Sequence, residues 1–244
     1  MSHNPKIRAA ALTDIGKIRR RNEDRAIFDG ERLVFGVADG VGGIPGGDEA
    51  AQAALDAVLG AFAALPPSAE PDLRAIVLGA GRLVAEKGDA ISPAKGIGST
   101  LTFGCVREGR LMIAHVGDSR CYGVQRGRLV RLTEDHTVEC EASRRRRLGE
   151  AACYYAPEEA RALTRWLGGP GLPEPDLLAV SLAAGDSFLF CTDGMTGLVS
   201  DAEIGAVLTL PEEPVSLLKI LLDMAARRGG VDNATGVLLR VDET

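Results

Sequence analysis

"STLTFGCVREGRLMIAHVGDSRCYGVQRGR", residues 99–128, is the stretch whose reading decides the fold. It contains three strand-like runs, at 99–106, 110–118 and 121–126, and no helical block separates them. The connections "REGR" (107–110) and "RGR" (126–128) are short and contain glycine, as antiparallel hairpins require. A parallel sheet would need a long crossover between successive strands, most often a helix. Stacked antiparallel sheets covered by helices are therefore expected.

Working outward, further strand-like runs are "RAIF" (25–28), "RLVFGVAD" (32–39), "LLAVSL" (177–182), "SFLFCTD" (187–193) and "ATGVLLRV" (234–241). Helical spacing marks "DEAAQAALDAVLGAFAAL" (48–65), a segment from Pro71 to about Lys87, and a last one from about Pro214 to Arg228. Asp48 and Glu49 favour the positive end of the first helix. The one irregular region, about 138–175, reads as a surface insertion, because strand-like sequence resumes after it. A single domain over 1–244 is expected.

The chain has 244 residues, 45% of them hydrophobic and 25% charged, an ordinary globular composition. Its net charge of −6 disfavours a phosphate-backbone binder. No stretch approaches the roughly 20 apolar residues of a membrane span. The N-terminal apolar run is too short for a signal peptide, so a cytoplasmic protein is expected. The five cysteines, Cys105, Cys121, Cys140, Cys153 and Cys191, include no C-x-x-C and read as structural rather than as a disulfide framework or zinc site.

Acids recur at strand ends. Asp39 ends "LVFGVAD", Asp118 ends "LMIAHVGD" and Asp193 ends "FLFCTD"; Asp232 precedes "ATGVLLRV", and Glu23-Asp24 precedes "RAIF". Any one of them is adequately explained as a turn former. Brought together, however, carboxylates repel one another and resist ionisation unless a cation is present. Carboxylates without neighbouring Cys or His favour Mg²⁺ or Mn²⁺ over Zn²⁺. Several in one site suggest two ions about 3.5–4 Å apart, a pair suited to activating water against a phosphoryl group. Gly40, lacking a Cβ, would let its carbonyl approach an ion.

The ordered motifs "RRRNEDRAIF" (19–28), "VADGVGG" (37–43), "GST" (98–100), "HVGDSR" (115–120), "LTEDHT" (132–137), "CTDG" (191–194) and "VDNATGVLL" (231–239) resemble the metal-dependent Ser/Thr protein phosphatases, the protein phosphatase 2C or PPM family, in its bacterial form. The resemblance runs from Asp14 to about Val241. It implies an α+β fold, a four-layer α-β-β-α sandwich of two stacked antiparallel sheets flanked by helix pairs. It also implies two Mn²⁺ or Mg²⁺ ions in the channel between the sheets. By motif, Asp39 would bridge both ions, the Gly40 carbonyl would bind one, and Asp193 and Asp232 would hold the other. Glu23 and Asp24 would bind directly or through water. Asp118 would share a third, weaker ion with Asp193. Arg19 matches the arginine that grips the substrate phosphate, a task suited to a planar guanidinium fork.

The implied reaction is hydrolysis of phosphoserine or phosphothreonine by direct attack of a metal-bridging hydroxide, with no protein nucleophile. Phosphorylated proteins and a cognate Ser/Thr kinase are the implied partners, and a monomer is expected. Ser99, Thr100 and Ser119 are then structural. His3 falls in a tail, His115 is expected by strand parity to face away from the ions, and His136 is architectural. Val41 occupies the position where many relatives carry a histidine able to protonate the leaving group. The region upstream of "LTRWLGG" (163–169) departs from the bacterial pattern, in which "LTRALG" is usual.

"RRRR" (144–147) reads first as a solvated charge run and next as a docking surface for acidic or phosphorylated substrates. Nucleic acid is the least favoured partner, since no aromatic stacking set accompanies the run. A non-catalytic phosphoprotein-binding relative is the other function class, disfavoured because every metal-type acid is present.

Overall fold

The computed structural model describes residues 6–43, 45–66, 69–150 and 154–242. His3 and Cys153 lie outside the described residues. Among the described residues, ten strands form two five-stranded antiparallel sheets. One sheet has the order β1 (Ile7–Asp14), β10 (Ala234–Val241), β9 (Ser187–Cys191), β6 (Arg120–Gln125), β7 (Arg128–Arg131). The other runs β2 (Asp24–Asp29), β3 (Val34–Asp39), β4 (Leu101–Arg107), β5 (Arg110–Val116), β8 (Asp176–Ser181).

Period-2 alternation sorts each strand's side chains into two layers. Phe35, Val37, Leu111, Ile113, Phe188, Phe190, Val237 and Leu239 make the core between the sheets. On the opposite faces, Val34, Ala38 and Phe103 pack under α1 (Gly47–Ala64) and α2 (Leu73–Ile91). Leu189, Cys191 and Leu238 pack under α5 (Asp201–Leu208) and α6 (Pro214–Arg227). These layers are the α-β-β-α sandwich. Among the described residues no helix is long and apolar enough to cross a membrane. Cys105, Cys121 and Cys191 are buried free thiols, and Cys140 is half-buried.

The differences from expectation are local. β1, whose "IRAAALTD" is alanine-rich and weak in strand propensity, pairs along its whole length with β10, from Ile7 opposite Val241 to Asp14 opposite Ala234. α2 begins two residues after Pro71 because the Asp72 carboxylate accepts the Ala75 N–H at 3.0 Å and caps it. Short helices α4 (Asp193–Thr196) and α5 were not anticipated. Nor is the 138–175 insertion irregular throughout, for it opens with α3 (Val138–Arg147), capped by Thr137. The arginine run ends α3, where cations complement the helix dipole. Arg144 and Arg145 pair with Glu141 at 2.8 and 2.9 Å, and Arg147 pairs with Glu134 at 2.6 Å. Much of the charge of that run is therefore already met by local carboxylates.

Candidate metal centre

In β3, Phe35 and Val37 enter the inter-sheet core, so alternation brings Asp39 out on the same side at the end of the strand. Directly opposite it in the β2–β3 register stands Asp24. Asp193 begins α4 immediately past β9, and Asp232 precedes β10, the neighbouring strand. A methyl group on Gly194 would stand 1.9 Å from the Asn233 carbonyl oxygen, so these two strand ends are pressed together. A methyl on Gly40 would meet the Gly47 carbonyl at 2.4 Å, which accounts for glycine beside Asp39 in terms of packing against the start of α1.

These elements open a cleft of about 400 Å³ whose lining includes Arg19, Asp39, Gly40, Asp118, Asp193 and Asp232, together with Val41, Leu163 and Trp166. Glu23 lies behind this lining. Its Oε2 is 3.8 Å from Arg19 Nη1, and its carboxyl abuts Gly47 at the start of α1. Arg19 Nη2 donates to Asp232 Oδ2 at 2.8 Å. Of the acids singled out in the sequence, Asp39, Asp118, Asp193 and Asp232 meet in the cleft, Asp24 lies beneath it, and Glu23 stands to one side.

Electrostatically the cluster is under strain. Burial raises Asp39 well above the usual carboxylate range, and Asp24, Asp193, Asp118 and Asp232 add to the effect. Burial likewise raises Asp24 to about 6 and Asp118 to about 7, with the Asp193 charge contributing to both. Asp193 is raised by burial and by Asp232, while Arg161 counteracts the shift. Burial also raises Glu23, against the pull of Arg19. Carboxylates placed so that they cannot ionise together want a cation.

The donor set fits divalent ions that prefer oxygen. Asp24 is buried, its Oδ2 accepts from Thr192 Oγ1 at 2.9 Å, and its Oδ1 has no hydrogen-bond partner. A buried carboxylate oxygen without a donor is costly unless something positive meets it. Among the described residues no three such side chains converge as a finished ligand set for one ion. Oxygen donors without Cys or His favour Mg²⁺ or Mn²⁺, which complete their shells with carbonyls and water.

Several positioning residues escaped the sequence reading. Thr192 and Asn233 are neutral neighbours of the acids. Asn233 Oδ1 accepts the Glu23 N–H at 2.9 Å, and its Nδ2 donates to the Ile15 and Arg21 carbonyls, fastening the loop that carries Arg19. Ser99, Thr100 and Ser119, by contrast, have the structural role expected of them: Thr100 Oγ1 accepts the Asp39 N–H at 3.0 Å and pairs with Ser119 Oγ at 2.8 Å, and Ser99 Oγ donates to the Asp39 carbonyl at 3.0 Å. Arg161 and Trp166 reach the cleft from the insertion and its root. The only signal for Asn233 was its place beside an acid before a strand.

His115 stays out of the cleft as expected, but strand parity is not the reason. His115 shares parity with Leu111 and Ile113 and so faces the inter-sheet layer. It is fully buried and kept from the cleft by Thr102 Oγ1 at 2.8 Å, the Glu134 carbonyl at 3.0 Å and the His136 ring. Burial holds it neutral, with a pKa of about 3. The Gly117 N–H donates to His136 Nδ1 at 3.1 Å and the His136 N–H donates to the Gly117 carbonyl at 2.8 Å, fixing the turn that bears Asp118.

Comparison with known proteins gives a consistent result. A family model described as Protein phosphatase 2C matches residues 20–216. The Mycobacterium tuberculosis serine/threonine protein phosphatase PstP is 34% identical over 96% of this chain, which spans 45% of that protein, or about half its length. The Listeria monocytogenes serine/threonine phosphatase stp is 31% identical over 95% of both chains. A solved structure of the PstP catalytic domain in complex with two manganese ions superposes with a TM-score of 0.82, at 32% identity, over 97% of this chain and 99% of that one. With fold, ordered motifs and relatives in agreement, this chain belongs to the protein phosphatase 2C family, among its bacterial members.

Proposed function

We propose that this protein is a metal-dependent phosphoprotein phosphatase that hydrolyses phosphoserine and phosphothreonine and opposes a Ser/Thr kinase in the cytoplasm. The observation that carries this reading is Asp39, flanked by four other carboxylates that raise its pKa, in one cleft with Arg19. Relatives named as serine/threonine phosphatases, one solved with two manganese ions, support it.

Asp39, the Gly40 carbonyl, Asp193, Asp232 and Asp24 would hold two Mn²⁺ or Mg²⁺ ions, with Glu23 acting alongside Asp24. Asp118, whose pKa is raised by burial and then by the Asp193 charge, would share a third and weaker one with Asp193. When bound, such ions neutralise phosphoryl oxygens and activate water for in-line attack. Arg19 turns its guanidinium fork from Asp232 toward two phosphoryl oxygens. Water attacks phosphorus directly, because the one hydroxyl side chain lining the cleft among the described residues, Thr100, is already engaged by the Asp39 N–H and Ser119. Val41 offers no proton, so the leaving alkoxide takes one from solvent.

The test is phosphate release from a phosphothreonine peptide with and without Mn²⁺. Release should depend on the metal and vanish in Asp39→Ala and Asp193→Ala. Peptide binding with no release under either Mn²⁺ or Mg²⁺ would instead identify a non-catalytic phosphoprotein binder.

A further inference from the structure

We propose that Trp166, with Val41 and Leu163, forms a specificity subsite for an apolar side chain lying within two residues of the phosphorylated residue. The inference rests on the phosphatase reading and concerns the part of the cleft which that chemistry leaves unused. The lining of the cleft of about 400 Å³ combines two unlike sets of residues: Arg19, Arg161 and the carboxylates, and the apolar Val41, Leu163 and Trp166. A phosphoryl group held by the charged set brings the neighbouring residues of an extended peptide, about 3.3 Å apart, within reach of the apolar side chains in the same cleft.

Trp166 is the chain's single tryptophan, and it is not a core plug. Leu167, next in sequence, is fully buried in the core beneath α1 and α2, whereas Trp166 is half-buried and lines the cleft. Two glycines make room for the indole. A methyl on Gly98 would stand 2.8 Å from Trp166 Cδ1 and 3.1 Å from Val41 Cγ2, and one on Gly169 would stand 2.9 Å from Trp166 Cε2. The ring is therefore seated close beside Val41.

The apolar set is also fixed in position relative to the metal-type acids. Val41 N–H donates to the Gly98 carbonyl at 2.9 Å, and Ser99 exchanges hydrogen bonds with Leu167 at 2.8 and 3.1 Å. Ser99 bridges to Gly40 on its other side. Trp166 is thus carried on a short three-segment ladder whose first segment contains Gly40 and Val41. Preorganised aromatic surface held beside a charged anchor is the arrangement that reads an adjacent side chain. The occupant it fits is a Leu, Ile, Met or Phe of the substrate.

Two phosphothreonine peptides, one with Leu and one with Gly at the positions flanking the phosphoresidue, test the subsite. The full-length Mn²⁺-loaded protein should favour the Leu peptide roughly tenfold in kcat/KM, equivalent to about 1.4 kcal/mol. Trp166→Ala should bring the Leu-over-Gly ratio close to one, and Trp166→Phe should retain part of it. Independently of turnover, the fluorescence of the single indole in Asp193→Ala should shift on titration with the Leu peptide and not with the Gly peptide. Equal kcat/KM for both peptides in the wild type, with no difference in fluorescence, overturns the subsite and leaves the phosphatase reading intact. A Leu-selective fluorescence shift without any hydrolysis by the wild type supports the subsite and defeats the phosphatase reading. Neither hydrolysis nor a shift defeats both.

Discussion

Thr192 Oγ1 donates to Asp24 Oδ2 at 2.9 Å and accepts the Thr235 N–H at the same distance, so one hydroxyl at the end of β9 ties the two sheets together under the candidate metal centre. Thr192→Val keeps the shape and removes the hydroxyl. The Thr235 N–H then loses its acceptor, and Asp24 loses the donor that now lowers its pKa. An unsatisfied buried polar group costs about 1–3 kcal/mol. The melting temperature of the variant should fall accordingly, and calorimetric titration should show weaker Mn²⁺ binding. An unchanged Mn²⁺ isotherm would mean that Asp24 needs no such support.

Arg19 serves two charges, Asp232 at 2.8 Å and the substrate phosphoryl group in the proposed reaction. Arg19→Ala should lower kcat/KM by roughly 10–100-fold, the scale of a hydrogen bond to a charged group. Arg19→Lys should recover only part of this, since an ammonium lacks the two-pronged fork. Because the guanidinium partly neutralises Asp232, its loss should leave Mn²⁺ affinity undiminished. A variant whose defect disappears at high Mn²⁺ would place Arg19 in metal retention instead.

The raised carboxylates make metal-free stability depend on pH in a definite direction. Asp118, at about 7, and Asp24, at about 6, sit above the unfolded value of about 3.9. Their contribution to stability is full below the unfolded value and is lost as pH rises through 6 and 7. His115, held near 3 by burial, and His136, also lowered, act oppositely, costing stability as pH falls below the unfolded value of about 6.5. Without metal, the acids' share of stability should therefore decline between about pH 4 and 7, a decline that the histidines partly offset below about pH 6.5. Asp118→Asn should flatten that decline, and Mn²⁺ should abolish it by favouring the ionised carboxylates. A metal-free melting temperature that climbs steadily to pH 8 would contradict the crowding of these acids.

The parts of this architecture that could be read from the sequence are those with a local signature. β10 spans Ala234–Val241, the run "ATGVLLRV" singled out beforehand, because alternating branched residues bounded by Asp-Asn mark a strand within eight residues. Asp39, Asp118, Asp193 and Asp232 were visible because a charge that ends an apolar strand is conspicuous in one dimension. Thr192 was not, since its partner Asp24 lies 168 residues away and a threonine after a strand looks like any other. β1 was missed for a related reason: its alanines carry little strand preference, and its formation depends on pairing with β10 at the far end of the chain. Trp166 was read as part of a retained motif, while its place in the cleft depends on the ladder through Ser99.

Gly194 provides the sharpest steric test of how closely the two acidic strand ends must approach. Its backbone lies against Asn233, and a methyl group would come within 1.9 Å of that carbonyl oxygen, far inside any real contact. Gly194→Ala must separate Asp193 from Asp232, at an overpacking cost of about 1–3 kcal/mol. Both the melting temperature and Mn²⁺ affinity should fall. Gly60→Ala is the matched control, for it lies exposed in the C-terminal part of α1 with nothing within 4 Å of the added methyl. There the same change should stabilise by about 0.5–1 kcal/mol through helix propensity and leave Mn²⁺ binding as it was. If Gly194→Ala bound Mn²⁺ as tightly as Gly60→Ala, the two carboxylates would not need their present spacing, and their assignment to a shared ion would fail.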